Sequence, residues 1–217
     1  ATVTLTHNRE WYNRIYEQRI ENGQVQRVSL PLSNHGSGYT VKSTLSKGFY
    51  ELGLKTSFLV LLNISKAEQI SGGQRLPYQY RLMRLEPKVI WTPNRHWETS
   101  YQTDIRYGGN KIGERTRLAP LWNVTQQVQL SYIFSPIEAS LSVDHYHNDV
   151  NEDQSVNAVF ADFSVSWKSG RWQITTTATN LFDKRTYAYT QYASLESYTS
   201  WVRIRPREFL VAIRYQL

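Results

Sequence analysis

Apolar and polar residues alternate along most of this chain, most clearly at its C-terminal end. From Arg207 to the last residue, every second position is apolar: Phe209, Val211, Ile213, Tyr215 and Leu217. A two-residue period predicts a β-strand with one apolar face and one polar face. The same period recurs along the sequence between alternating short and long connections, a pattern typical of a transmembrane antiparallel β-barrel of the outer membrane.

The regular segments predict an all-β protein with about ten antiparallel strands. From Trp97 to Tyr107 the odd positions are aromatic, Thr or Ile, and the even positions are charged or polar. A similar alternation runs from Trp122 to Phe134. In the segment Tyr78 to Trp91 the apolar positions change parity near Met83, which predicts a β-bulge. The stretch from Thr2 to Ile20 is predicted as a longer, more polar first strand.

The predicted connections fall into two lengths. Short turns at residues 47–48, 92–94, 135–136 and 169–170 alternate with longer polar segments at 21–37, 108–121, 149–156 and 183–205. The loop at 65–73 is the shortest of the second group. Short turns at one rim and long loops at the other are typical of outer-membrane barrels.

Aromatic residues collect beside the short turns. An indole or phenol ring favours a position with its ring in hydrocarbon and its polar atom at the lipid headgroups. We therefore predict a membrane-interface belt at one height, formed by Phe49, Trp91, Trp97, Phe134, Trp167, Trp172 and Tyr215.

Composition narrows the class of protein. The 217 residues contain no cysteine, so disulfides and Cys-ligated metals are excluded, and we predict one domain, residues 1–217. The net charge of +7 comes from dispersed basic residues, which argues against nucleic-acid binding and favours a polar barrel lumen and loops facing outer-membrane lipid. A mean hydropathy of −0.53 does not argue for solubility, because alternating strands place polar residues at half their positions. The chain starts with a strand-like stretch rather than a leader, so we expect a piece of a longer protein.

Three segments resemble the C-terminal part of TonB-dependent outer-membrane receptors. These are the NLFDKRTY segment from Asn180 to Tyr187, the RPREFLVAIRYQL ending, and the SKGFYELGLKTSF segment from Ser46 to Phe58. The Arg-Pro-Arg element after a Tyr-rich loop is similar to receptors of the Bacteroidetes type. Together these segments cover about a sixth of the chain. The last residue, Leu217, departs from the aromatic that usually ends such barrels.

The resemblance implies a barrel of about twenty-two strands around an N-terminal plug domain. It also implies energy supplied by an inner-membrane complex. This chain would contribute about the last ten strands, without the plug. The apolar positions of its final strand, Phe209, Val211, Ile213, Tyr215 and Leu217, would be those that the barrel-assembly machinery reads.

The loop before the last strand is the predicted ligand-binding element. It contains Tyr187, Tyr189, Tyr192, Tyr198 and Trp201, whose rings can form an extracellular platform for a siderophore, glycan or peptide, or can pack on one another. Charged positions on the strands are predicted to line a polar lumen that contacts plug or ligand, or to form hydrated salt bridges there: Lys55, Arg81, Arg84, Asp104, Arg106 and Arg214.

Two histidines raise an alternative. His145 and His147, with Asp144 and Asp149, suggest an enzymatic site. The two histidines share one face of a predicted strand, whereas Asp144 points to the other, so the adjacent Asp–His pair does not converge and a carboxylate from a neighbouring strand, such as Asp162, would have to supply a partner. A metal site would need a third ligand, for which Glu152 and Asp153 are the candidates. We predict neither activity, and no catalytic residue, metal or cofactor is assigned.

The function predicted from the sequence is ligand uptake across the bacterial outer membrane, as part of a TonB-dependent receptor. One alternative is a complete small barrel that acts as an omptin-like protease or a passive pore. Another is a soluble β-sandwich that binds glycans. A complete barrel requires the first strand to pair with the last, and a sandwich requires the apolar faces to pack inside.

Overall fold

A computed structural model describes residues 1–21, 24–113, 116–117, 120–151, 153–192 and 197–216. The strands of this part of the chain are β1 (Thr2–Tyr12), β2 (Ile15–Glu21), β3 (Gln24–Leu30), β4 (Asn34–Phe49), β5 (Leu54–Ser71), β6 (Gln74–Asn94), β7 (Trp97–Ile112), β8 (Thr116–Arg117), β9 (Leu121–Phe134), β10 (Ile137–Asp149), β11 (Ser155–Ser169), β12 (Trp172–Thr179), β13 (Thr186–Tyr192), β14 (Ser197–Arg203) and β15 (Glu208–Tyr215). One 3₁₀ turn, Tyr50–Leu52, lies between β4 and β5 within these described residues. No described helix has the length and apolar character needed to cross a membrane.

Ten strands form one continuous sheet in the order β1-β4-β5-β6-β7-β9-β10-β11-β12-β15. Neighbours along this path are antiparallel, so the all-β antiparallel prediction is confirmed. The strands β2 and β3 form a hairpin that also meets β5 through a short parallel contact, and β13 and β14 form a separate hairpin. The two edge strands, β1 and β15, do not pair with each other among the described residues, so closure into a barrel is not seen.

The strand register gives the sheet two chemically different faces, because directly opposed residues of an antiparallel pair point the same way. One rung runs across six strands through Thr99, Leu130, Leu141, Phe163, Ala178 and Phe209. Another runs through Lys42, Leu61, Arg84, Arg106, Asn123 and Asn148. We call the face of the first rung the apolar face and that of the second rung the polar face. The faces predicted for Trp97 to Tyr107 and for Trp122 to Phe134 are confirmed.

The predicted bulge near Met83 is wrong. The pairing of β5 with β6 continues without a shift from Leu54 opposite Trp91 to Ser71 opposite Gln74. The apolar residues of this segment change parity because Tyr78, Tyr80 and Leu82 lie on the polar face, whereas Met83 begins an apolar run on the other face. The register shift of β6 occurs instead between Trp91 and Asn94, beside the turn into β7.

Several predicted loop boundaries also differ. The segment 65–73 is mostly strand, because β5 and β6 continue to a two-residue turn at Gly72 and Gly73. The turn expected at 47–48 lies later, at 50–53, and Gly53 ends it with φ of +59°. A Cβ on Gly53 would lie 2.0 Å from the Thr92 carbonyl oxygen, so both the backbone angle and the space require glycine. The long first strand is two strands, β1 and β2, separated at residues 13–14.

Four tight connections, at 50–53, 95–96, 135–136 and 170–171, lie at one end of the strands, which we call the short-turn end. The connections at the opposite end include the two hairpins, so we call it the hairpin end. Few apolar side chains are buried, and the buried ones in the described residues are mostly alanines. Large apolar side chains on the apolar face remain exposed, for example Leu5 at 74% and Phe209 at 70%.

Candidate functional site

The NLFDK segment is the anchor of the hairpin formed by β13 and β14. Asn180 is buried and adopts a left-handed backbone angle, φ of +49°. Its Nδ2 donates to the carbonyl oxygens of Lys184 and Arg205, at 2.9 and 2.8 Å, while its Oδ1 accepts the Lys184 backbone N–H. One side chain therefore holds together the two strands of chain that enter and leave the hairpin.

A second turn residue reinforces this anchor. Asp183 also has a positive φ, +51°, and its carboxylate accepts the backbone N–H of Arg207 at 2.9 Å and a side-chain N–H of Arg185 at 2.9 Å. These bonds favour the ionised carboxylate, so the Arg207 amide first, and then Arg185, lower the pKa of Asp183 below its ordinary value. The motif that resembles the receptor family thus has a structural role in this chain.

The hairpin lies against the polar face at the hairpin end of β10. Asn148, which is 3% exposed, donates from Nδ2 to the Tyr187 hydroxyl at 3.0 Å and to the Ala188 carbonyl at 3.3 Å. The Thr190 hydroxyl donates to the Val150 carbonyl at 3.1 Å. The rings of Tyr146 and Tyr187 meet edge to face, with centroids 5.1 Å apart. The Asn148 amide and the Thr190 hydroxyl both have hydrogen-bond partners, so the hairpin is held in a defined position on the sheet.

A cavity of about 520 Å³ lies between the hairpin and the sheet, and we call it the hairpin cavity. Its volume falls within the range of small-ligand sites. Residues of β5, β6, β7, β9, β10 and β13 line it: Leu61, Tyr80, Leu82, Arg84, Asp104, Arg106, Gly108, Leu121, Asn123, Thr125, Asn148, Tyr187, Tyr189 and Thr190.

The floor of the hairpin cavity carries an ion-pair network. Arg84 forms a bidentate contact with Asp104, at 3.1 and 2.9 Å, and its Nε also lies 2.5 Å from Glu86. Arg106 binds the same Asp104 carboxylate at 2.7 Å. A carboxylate shared by two guanidinium groups fixes their planes, so their remaining N–H groups are oriented before any ligand arrives.

Asn123 provides an acceptor in the same cavity. Its Oδ1 is buried and has no hydrogen-bond partner in the described structure. A buried amide oxygen without a donor is destabilising by about 1–3 kcal/mol, and a bound water or ligand hydroxyl would relieve this. The cavity therefore offers guanidinium donors, an amide acceptor and tyrosine rings, a combination that suits a hydroxylated or carboxylated small molecule.

The predicted tyrosine platform is only partly assembled. Tyr187 and Tyr189 line the hairpin cavity, and their ring centroids are 5.8 Å apart. Tyr198 and Trp201 are exposed, and neither lines this cavity. Trp201 pairs with Ala188, whereas Tyr187 pairs with Val202. Trp201 and Tyr187 therefore lie on opposite sides of the hairpin. The side chain of Tyr192 lies outside the described residues.

The residues of the predicted belt share the apolar face and cluster at the short-turn end. Trp97 is paired with Tyr132, and Trp172 is paired with Tyr215. Phe134 and Trp167 lie on the two strands that flank Ile137, and each is paired with it. The ring centroids of Trp97 and Tyr132 are 4.7 Å apart, and those of Trp172 and Tyr215 are 4.8 Å apart. The full predicted set is exposed: Phe49, Trp91, Trp97, Phe134, Trp167, Trp172 and Tyr215.

A second aromatic pair lies toward the hairpin end. Tyr107 and Trp122 are opposed on the apolar face, with centroids 4.5 Å apart, and each is ten residues along its strand from a member of the Trp97–Tyr132 pair. Ten residues span about 33 Å of strand. For strands tilted by about 40°, that length corresponds to a height of about 25 Å, the usual height of a lipid-facing band. This second pair was not predicted from the sequence.

The histidines do not form the Asp–His arrangement considered above. His145 and His147 lie on the apolar face, whereas Asp162 lies on the polar face and accepts the Asn180 backbone N–H at 2.7 Å. His147 instead contacts Asn157 at 2.9 Å and Asp149 at 3.4 Å. Glu152 lies outside the described residues, and no group of three or more potential metal ligands occurs among the rest.

The charged residues assigned to a polar lumen are mostly on one face. Arg84, Asp104 and Arg106 line the hairpin cavity, and Lys55 and Arg214 occupy polar-face positions of β5 and β15. Arg81 is an exception, since it opposes Ile64 on the apolar face. Of the apolar ladder in the last strand, Phe209, Val211, Ile213 and Tyr215 lie on the apolar face and are exposed, while Leu217 lies outside the described residues.

Comparison with known proteins gives no family assignment: no protein-family model, no curated protein and no solved structure matches this chain.

Proposed function

We propose that this chain is part of the wall of an outer-membrane β-barrel that takes up a ligand, as in TonB-dependent receptors. The observation that carries the proposal is the ten-strand sheet with one apolar face, which has an aromatic row at its short-turn end, and one polar face that holds a hairpin. In this arrangement the apolar face contacts lipid. The polar face forms the lumen.

The exposed apolar side chains support a lipid partner. More than twenty large apolar residues on or near the apolar face are exposed. Burying each of these side chains away from water would stabilise the fold by about 1 kcal/mol. The sum is larger than the ~5–15 kcal/mol free energy of unfolding of a typical protein, so leaving all of them in water would be costly. Lipid hydrocarbon supplies that cover without a second sheet. A β-sandwich would instead require the apolar faces to pack against protein, and the described residues contain no such packing.

The unpaired edges β1 and β15 support a sheet with more strands than this one. Backbone groups at an open edge cannot be satisfied inside hydrocarbon, so a lipid-embedded sheet has to close. In the larger barrel that the family resemblance implies, further strands pair with both edges. The plug domain and the energy-coupling inner-membrane complex enter the proposal through that resemblance alone.

The hairpin of β13 and β14 is the proposed selectivity element. It stands at the hairpin end, which is extracellular in this orientation, and covers the hairpin cavity from the lumen side. A ligand such as a siderophore, glycan or peptide would contact the tyrosines of the hairpin and the arginines of the floor. No bond is made or broken in this function.

The first test is the intact mass and heat-modifiable gel migration of the protein extracted in detergent. A mass several-fold above 25.4 kDa, with a shift on heating, is expected for a receptor barrel. A shifting species of 25.4 kDa would support a complete small barrel and contradict the receptor proposal. A protein that stays monodisperse without detergent would contradict the membrane assignment altogether.

Ion conductance in planar bilayers separates a receptor from a passive pore. A plugged receptor is expected to be electrically silent. Steady conductance of the intact protein would instead favour a pore. A matched variant in which residues 186–203 are replaced by a short Gly-Ser linker keeps Asn180 and its two carbonyl partners. It should retain the heat shift, and its conductance reports whether the hairpin obstructs the lumen.

A further inference from the structure

A second cavity, about 370 Å³ in volume, lies at the hairpin end, where the β2–β3 hairpin meets β4, β5 and β6. We call it the β2–β3 cavity. Tyr12, Arg14, Tyr16, Arg27, Gln69 and Tyr78 are among the residues that line it, and none of its lining residues lines the hairpin cavity.

Gln69 is the unusual residue of this cavity. It is only 5% exposed, yet neither Oε1 nor Nε2 has a hydrogen-bond partner in the described structure. Its neighbour Asn34 shows the contrast, because that amide donates to the Glu68 carbonyl and accepts the Glu68 N–H. A buried primary amide with both groups unpaired is rare in folded proteins, and one common explanation is a bound molecule that completes the bonds.

The charges around the β2–β3 cavity favour an anion. Arg14 and Arg27 are exposed, and neither has an ion-pair partner in the part of the chain that the structure describes. The nearby carboxylates are already engaged, since Glu17 binds Arg19 at 2.7 Å and Glu68 binds Arg75 at 2.6 Å. Arg27 is held in place by its stacking over the Tyr16 ring, 4.0 Å from the centroid. Two guanidinium groups without counter-charges suit a carboxylate.

The amide and the rings identify the remainder of the ligand. Adjacent sugar hydroxyls each donate and accept, so a pair of them matches the donor and acceptor of Gln69. Tyr12 presents a partly exposed ring of the kind on which a sugar ring packs. A peptide that bound as an added strand would need a free edge. On this side of β5 the pairing with β4 ends at Lys66 and the pairing with β2 begins at Ile70, and the Asn34 amide already bonds the backbone N–H and carbonyl of Glu68 between them.

We infer that the β2–β3 cavity is a binding site for a carboxylated sugar, with Gln69 bonding its hydroxyls and Arg14 and Arg27 bonding its carboxylate. This site is separate from the hairpin cavity and does not require that the protein transports anything.

The test is titration calorimetry of the full-length protein in detergent with a galacturonic acid trisaccharide, and with the neutral galactose trisaccharide for comparison. We expect the acidic sugar to bind at least tenfold more tightly than the neutral one, with an affinity that falls as salt rises. Equal affinities for the two sugars, or no binding of the acidic sugar at about 1 mM, would overturn the assignment.

Variants locate the binding. Gln69→Leu, Arg14→Gln and Arg27→Gln should each weaken binding about tenfold. Gln69→Leu removes a buried amide that has no partner, so the variant is expected to fold with an unchanged or higher melting temperature. The control is Arg9→Gln, an exposed arginine on the apolar face, which should bind like wild type. If Gln69→Leu raises the melting temperature and leaves the affinity unchanged, the amide is only a packing defect and the proposal fails.

Discussion

At the scale of single residues, Asn180 shows how one side chain can determine where a loop leaves a sheet. It combines a left-handed backbone angle with three side-chain hydrogen bonds to the two ends of the β13–β14 hairpin. Asparagine is one of the few residues other than glycine that adopts this backbone region readily. The same residue type therefore satisfies the backbone and provides the amide.

We predict that Asn180→Ala loosens the hairpin by about 2–3 kcal/mol, because two carbonyl groups and one N–H lose the partner of a part-buried hydrogen bond and alanine disfavours positive φ. Hydrogen exchange of residues 186–203 is the measurement, and it should accelerate by about 30-fold or more. Asn180→Gly is the matched control: it also removes the amide, but glycine adopts a positive φ without strain, so it lacks the backbone cost of the alanine variant. Equal exchange in the alanine variant and the wild type would show that the amide bonds do not hold the hairpin.

Asp183 gives the anchor a pH dependence. Its pKa is lowered below the ordinary 3.8 in the folded protein, so its contribution is fully present above the unfolded-state pKa. That contribution is lost as pH falls through the lower folded-state pKa. We expect the wild type to protect residues 181–186 better than Asp183→Asn at pH 6, with exchange corrected for its intrinsic pH dependence. The difference should shrink below pH 3.8. A constant difference across this range would contradict the ionic contribution.

At the scale of elements, the alternation of apolar and polar residues predicted strands and their faces. Side chains alternate between the two faces of any strand, regardless of which strands pair with it. This alternation could not predict that the loop from Tyr187 to Trp201 is itself a hairpin. That outcome depends on Asn148, which lies 39 residues from Tyr187 in sequence and has no local signature. The parity change at Tyr78 and Tyr80 was misinterpreted for a similar reason, since these rings lie on the polar face and line the cavities beside the two hairpins.

The contact between Asn148 and Tyr187 is expected to stabilise the seated hairpin. Tyr187→Phe removes the hydroxyl but keeps the edge-to-face contact with Tyr146, so we predict a loss of about 1 kcal/mol. Exchange of the hairpin amides should rise about fivefold. Tyr189→Phe is the control, because the Tyr189 hydroxyl takes no part in the hydrogen bonds that hold the hairpin on the sheet among the described residues. A larger effect in the control than in Tyr187→Phe would refute this account.

At the scale of the whole molecule, the aromatic row at the short-turn end predicts how the sheet would sit in the proposed membrane. Single-Trp proteins that retain Trp97 or Trp172 should be quenched most by phospholipids brominated near the headgroup, and less by lipids brominated at the acyl-chain end. A protein that retains only Trp201, on the hairpin, should show little quenching in either lipid. Strong quenching of Trp201, or none of Trp97, would contradict the proposed orientation.

The sequence by itself determined the local features of this protein: strands, the split of their side chains into two faces, the aromatic residues near the short turns, and a motif at residues 180–187. These follow from the geometry of the extended chain, which needs no distant partner. The tertiary structure alone decided where the hairpin contacts Asn148, that Arg84 and Arg106 share the Asp104 carboxylate, and that the Gln69 amide is unpaired. Each of these depends on residues brought together from different strands, and a pattern with a period of two carries no information about which strands become neighbours.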